Sequence, residues 1–188
     1  MRCFVAIDLS PEVRAAIVRA QAGLRAGAPH ADVRWLDPGG MHLTLAFLGE
    51  VREEQVAAVE SALAAAMTPR PPLGLVASGL GGFPSARRPR VVWAGIVGEG
   101  EALGRTAAAV ASALVPLGFR AEERPFRGHV TLARVRSPRG LQPLGDAIAA
   151  GVRADFGAWT AREVVLYRSH LRTSGAVYEP LVRLPFGG

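Results

Sequence analysis

The most regular feature of the chain is a two-residue alternation of apolar and polar positions. Met41-His42-Leu43-Thr44-Leu45-Ala46-Phe47 predicts a strand over Met41–Leu48, with His42 and Thr44 on one face and Leu43, Leu45 and Phe47 on the other. His129-Val130-Thr131-Leu132 repeats the arrangement at the head of a strand over His129–Val135. Elsewhere the spacing is helical. Ser10-Pro11-Glu12 is a helix start, with Val13, Ile17, Ala20 and Leu24 behind it and Gly27-Ala28-Pro29 as its stop. Glu53–Met67 carries Val56, Val59, Leu63 and Met67 on one side. Glu101–Leu117 does the same with Leu103, Ala107, Val110 and Leu114, and Gly118 suits its C-terminal cap. A shorter helix over Leu141–Ala150 ends at Gly151. Further strands are expected over residues 2–8, 33–36, 73–80, 90–97, 163–169 and 177–184, the last two joined by a Ser174-Gly175 turn. Asp37-Pro38-Gly39-Gly40 is a strong turn, and Gly81–Pro89 reads as a glycine- and arginine-rich loop.

The order of these elements rhymes. Each half of the chain has a strand, a long helix, a His-x-Thr strand and another helix, which suggests an internal duplication. The expected class is α+β. Two pseudo-symmetric lobes, each a mostly antiparallel sheet with outer helices, face each other across a cleft within one domain over residues 1–188. Pro69–Pro72 is the best candidate for the break between lobes.

Composition narrows the chemistry. The hydrophobic fraction of 49% suits a folded core. No apolar run approaches the roughly 18 residues of a membrane span, so no membrane partner is expected. The first residues read as a strand and not as a signal peptide. Cys3 is the only cysteine, which rules out an intrachain disulfide or a cysteine-rich zinc site and fits a reducing cytoplasm. Net charge is +6, and every one of the 22 basic Lys/Arg positions is arginine. Without lysine there is no P-loop of the usual kind and no nucleotidyl-lysine chemistry. The arginine excess favours a phosphate-bearing partner, although a merely soluble basic surface would look the same.

Two His-x-Thr strands can divide acid–base work. One imidazole takes a proton from water while the other, as imidazolium, gives one to the departing oxygen. Two threonine hydroxyls can donate to non-bridging phosphate oxygens as charge builds. A cyclic phosphate suits this layout, because its opening needs in-line attack and a proton for the leaving alkoxide but neither metal nor nucleotide energy. Structural histidines are the alternative for one such motif and a metal site for two. The metal reading lacks His-x-His spacing, acids in register and a cysteine cluster. His30 and His170 have no threonine partner and read as surface or structural. Arg87, Arg88 and Arg90 could meet an RNA backbone, and Phe4, Trp35, Phe83 and Trp93 a base, with a solvated loop and core packing as the plainer readings.

The chain resembles the two-histidine phosphoesterase superfamily, and within it the RNA 2′,3′-cyclic phosphodiesterases, also called 2′–5′ RNA ligases. The likeness runs from Arg2-Cys3-Phe4-Val5-Ala6-Ile7 through Met41–Gly49, Phe83-Pro84, Arg90–Gly95 and His129–Arg134 to Tyr167-Arg168-Ser169 ahead of Gly175-x-x-Tyr178. Gly128 departs from it, since the family has proline before the second histidine. The resemblance implies that His42 protonates the leaving 3′ oxygen, that His129 activates water, and that a 2′-phosphate remains. It implies that Thr44, Thr131 and Arg134 hold the phosphate. Strict alternation puts Arg134 on the wrong face, so a bulge or the strand end must intervene. It further implies a monomer without cofactor or metal, acting on RNA ends such as tRNA halves, with weak ATP-independent 2′–5′ ligation as the reverse reaction. An RNA-end-binding module, or an enzyme for another cyclic or 2′–5′ nucleotide, are the competing readings.

Overall fold

The computed structural model describes residues 1–120, 122, 124–172 and 175–187; Ser174 of the expected turn lies outside them. The order is β1 (Arg2–Ile7), α1 (Pro11–Gly27), β2 (Val33–Trp35), β3 (Leu43–Glu50), α2 (Val56–Met67), β4 (Leu73–Phe83), β5 (Val91–Gly98), α3 (Ala102–Leu114), β6 (His129–Val135), α4 (Leu141–Ala150), β7 (Asp155–Ala161), β8 (Glu163–Arg172) and β9 (Gly175–Pro185). The architecture is the expected α+β one. Strands pair antiparallel in the order β7-β4-β5-β6-β3-β1-β8-β9, with β2 added to β6. The sheet is two four-stranded sets joined by a seam. The seam is β3 against β6, and it holds one register pair, Leu43 with Val130.

The sets do not follow the order of the chain. β3 and β1 stand with β8 and β9, while β4 to β7 form the other set. β2 joins the second set through β6; after α2 the chain enters that set at β4, and it returns to the first at β8.

Helices cover one face. α1 packs on β7 and α4, α4 on β4, α2 on β9 and α3, and α3 on β3 and β5. Val13, Ile17 and Leu24 of α1, Val59 and Leu63 of α2, Val110 of α3 and Leu144 of α4 join the inward residues of the strands in one core. On the opposite, helix-free face a smaller apolar group forms from Phe4, Ala6, Val165 and Tyr167, with Tyr178 against it. β1 is therefore buried on both faces, which is why it reads as an unbroken apolar run. No helix among the described residues is long and apolar enough to cross a membrane.

Helix ends follow their signals. Ser10 Oγ accepts from the Val13 amide at 3.3 Å, and Gly118 adopts φ +89° after the 3₁₀ turn that finishes α3. Glu53–Gln55 and Val115–Leu117 are 3₁₀ turns and not parts of the adjoining α-helices. One expectation changes, and one strand was not foreseen. Gly81, Gly82 and Phe83 extend β4 and are not loop, because the Trp93 ring of β5 lies over Gly81, where a Cβ would run into it. β7 has no strand-like alternation of apolar residues, because as an edge strand it buries only Phe156 and Ala161 fully.

Candidate active site

The seam assembles the two motifs. Leu43 and Val130 stand opposite each other, both fully buried toward the helices. Their chain neighbours must point to the other face. Antiparallel register then sets His42 on the Thr131 side of the pair and Thr44 on the His129 side. All four side chains are half-buried on the helix-free face. The arrangement is a local two-fold, with each histidine across from the other motif's threonine and the two histidines on the diagonal.

His42 lies just ahead of β3, after a turn that is held from two directions. Asp37 caps the turn by accepting the Gly39 amide at 2.8 Å. Arg14 of α1 reaches across and donates to the carbonyls of Pro38 at 2.6 Å and Met41 at 2.9 Å. The imidazole stacks on Phe4 at 4.6 Å and meets Tyr178 edge-on at 5.1 Å. Tyr167 stacks against Phe4 at 5.3 Å, lies 6.3 Å from His42, and donates its hydroxyl to Asp8 at 2.8 Å. Burial among these rings pushes the His42 pKa down to about 4; a bond to the Gly40 carbonyl and the charge of Asp8 oppose the shift, and Arg14 adds to it. Burial, with the Asp8 bond and charge, also holds the Tyr167 hydroxyl above the usual phenol range.

His129 opens β6 in a different setting. Its Nδ1 lies 2.7 Å from the Arg127 carbonyl, which can only accept, so Nδ1 carries the proton and Nε2 is the acceptor nitrogen. Both rings are thus tied to the carbonyl two residues upstream, Gly40 for one and Arg127 for the other. Phe83 meets His129 edge-on at 5.1 Å, and Trp93 lies 6.4 Å away. Gly128 has no room for a side chain, since a Cβ would press on the Ile96 carbonyl and the Leu103 side chain.

Bulges decide what else reaches this face. In β6 the register with β5 skips Leu132, so Leu132 and Ala133 are both buried and Arg134 returns to the face of Thr131. The bulge required for Arg134 is therefore present. It is stapled from α1: the buried Gln21 donates from Nε2 to the Leu132 carbonyl at 3.0 Å and to the Leu36 carbonyl at 2.8 Å. In β3 the register with β1 skips Leu45. Phe47 is consequently opposite Phe4 on the helix-free face, 70% exposed, and not beside Leu43 as simple alternation predicts.

Sequence reading missed Arg14, Gln21 and Arg34. Gln21 had a visible signal, a polar residue at helical spacing from Val13, Ile17 and Leu24 on a buried stripe. Arg14 had none. Arg34 stands directly opposite Arg134 in the β2–β6 register. Of the aromatic candidates, Phe4, Phe83 and Trp93 flank the histidines, while Trp35 packs on the helix-side core. Arg87, Arg88 and Arg90 are exposed; His170 is paired with Glu179 at 2.7 Å. No group of three or more His, Cys, Asp or Glu side chains able to hold a metal occurs among the described residues.

The model of the LigT-like phosphoesterases matches residues 7–93 and again 96–178, so that each stretch contains one His-x-Thr motif. A protein of Archaeoglobus fulgidus named RNA 2′,3′-cyclic phosphodiesterase is 34% identical over 181 residues, covering 96% of this chain and 98% of its own length. One of the same name from Methanothermobacter thermautotrophicus is 31% identical over 178 residues, covering 95% of each. Among solved structures, TT0787 of Thermus thermophilus superposes with a TM-score of 0.84 at 31% identity, over 100% of this chain and 99% of that one. E. coli LigT complexed with 3′-AMP gives 0.74 at 31% identity, over 98% and 97%.

Proposed function

The chain belongs to the LigT-like phosphoesterase family, and on that premise we propose that it hydrolyses RNA 2′,3′-cyclic phosphate ends to 2′-phosphomonoesters by acid–base catalysis from His42 and His129. The observation that carries this reading is the Leu43–Val130 seam, which puts two imidazoles and two hydroxyls on one face in two-fold register. Neutral His129 takes a proton from water through Nε2, its Nδ1–H being engaged by the Arg127 carbonyl. The hydroxide oxygen bonds to phosphorus, and the bond from phosphorus to the 3′ oxygen breaks in line. His42, as imidazolium, gives its proton to that oxygen. Thr44 and Thr131 donate to the non-bridging oxygens, and Arg134 adds charge from the same face. The direction of proton flow rests on the family resemblance. Burial disfavours the imidazolium of free His42, so the arriving phosphate anion must stabilise the proton that His42 then gives up. A 5′-hydroxyl in place of water would give a 2′–5′ linkage by the same steps without ATP.

The test is to incubate an RNA bearing a 2′,3′-cyclic end with the protein in EDTA and identify the product. Turnover to a 2′-phosphate is expected. A 3′-phosphate product would reverse the assignment of the leaving oxygen, activity lost on chelation would remove the metal-free mechanism, and tight binding without turnover would make the protein an RNA-end-binding module.

A further inference from the structure

Arg34 and Arg134 face each other directly across β2 and β6, on the same face as Thr131 and Trp93. Both are exposed. Among the described residues, neither takes part in an ion pair. Two like charges in direct register destabilise a sheet, so the pair works against the fold unless an anion joins it. Two guanidiniums side by side suit the oxygens of a phosphodiester. The position is informative as well. β6 shares its inner edge between β3, which pairs at Val130, and β2, which pairs from Ala133 to Val135. Arg34 therefore lies along the floor between the two sets, beyond the seam. The β8–β9 hairpin spans the same floor: its Tyr178 packs on His42, while a Cβ at Gly175 would sit 3.0 Å from Arg34 Nη2. Gly175 and Tyr178 are three positions apart along β9, about 10 Å, which sets Arg34 toward the hairpin end and His42 further along the strand.

We propose that Arg34 seats a second phosphate, that of the phosphodiester one nucleotide before the cyclic end, with Arg134 shared between that phosphate and the reacting one. The substrates are then oligonucleotide ends in preference to free nucleoside 2′,3′-cyclic phosphates. This rests on the cyclic phosphodiesterase reading of the site.

The experiment compares wild type and Arg34→Gln on two substrates, a short RNA with a 2′,3′-cyclic end and a nucleoside 2′,3′-cyclic monophosphate. Wild type should favour the oligonucleotide in kcat/KM. Arg34→Gln should lose about tenfold on the oligonucleotide, mainly through KM, as for one charge-assisted contact, and stay within about twofold on the mononucleotide. The slope of log KM against log salt for the oligonucleotide should become shallower by about 0.7. Melting temperature should hold or rise, since the variant relieves a like-charge pair; a structural role would lower it. Equal losses on both substrates, or no loss on either, would overturn the second-phosphate seat while leaving the cyclic phosphodiesterase reading in place. Absence of turnover by wild type on both would overturn the two together.

Discussion

His42 and His129 have the same chemistry in different surroundings. His129 opens a strand with its Nδ1 tied to a carbonyl, whereas His42 is enclosed between Phe4 and Tyr178. With its pKa pushed down to about 4, His42 is neutral at pH 7 in the free protein. To act as an acid it must gain a proton when the anionic phosphate arrives. Binding of a nonhydrolysable phosphodiester analogue at pH 7 should therefore take up a proton, read by calorimetry as a binding enthalpy that depends on the buffer. His42→Gln should remove that dependence; a wild type that shows none would assign the acid elsewhere. Linkage gives the sign for stability. Between about pH 6.5 and 4 the unfolded chain binds a proton that folded His42 refuses, so stability falls as pH drops through that window. Urea midpoints should show the fall, and His42→Gln should flatten it. In catalysis, His42→Gln or His129→Gln should each lower kcat by about 10²–10⁴-fold. The two histidines and threonines were readable because a strand repeats every two residues. Phe47 and Arg134 were not, because a single bulge inverts the faces of everything beyond it, and bulges are set by the partner strand.

At the scale of elements, α1 holds both halves of the site from behind. Arg14 fixes the turn before His42, and Gln21, seven residues on and so on nearly the same side of the helix, fixes the bulge after Thr131. Arg14→Met should lower kcat by about 10–10²-fold through loosened placement of His42. It should also raise the His42 pKa, because Arg14's charge acts to lower it, and an NMR titration of the imidazole would show the rise. An unmoved titration with reduced kcat would mean that Arg14 acts on the turn alone. Gln21→Leu leaves the Leu36 carbonyl without that partner and should cost about 1–3 kcal/mol in urea unfolding. Its KM for RNA ends should rise more than its kcat falls, because the bulge aims Arg134 and not His129. Rescue of KM by Gln21→Asn would argue against a geometric role, since the shorter amide cannot span both carbonyls. Helix ends, stripes and the strands that carry two-residue alternation were legible from local chemistry. The edge strand β7 and the Gly81–Phe83 end of β4 were not. Gly81 reads locally as loop, and only the Trp93 ring on the next strand explains why it is glycine within a strand.

For the whole molecule, the seam between the two sets is the narrowest link and the one on which the site depends. One register pair joins β3 to β6, and it is buried without remainder. Leu43→Ala should cost about 2–5 kcal/mol, seen as a lower denaturation midpoint. At temperatures where the variant stays folded, kcat should still fall, because the cavity lies under both His-x-Thr motifs; a folded variant with wild-type kcat would show that the seam is not what keeps the motifs in register. The molecule also combines a repeated element order with interleaved strands. The element order repeats along the chain, yet β8 and β9 return to complete the set begun by β1 and β3. The sequence by itself determined the chemistry on offer: two imidazole–hydroxyl pairs, no lysine, one cysteine, and the α+β succession of elements. These depend on residue types and on periods of two and 3.6, which are local. The tertiary structure alone decided which side chains share the cleft. It set His42 across from Thr131, turned Arg134 and Phe47 onto the working face, brought Arg34 beside Arg134, and pinned both motifs to α1. Each of these is a relation between residues far apart in the chain, created by strand register and packing, and no local period encodes it.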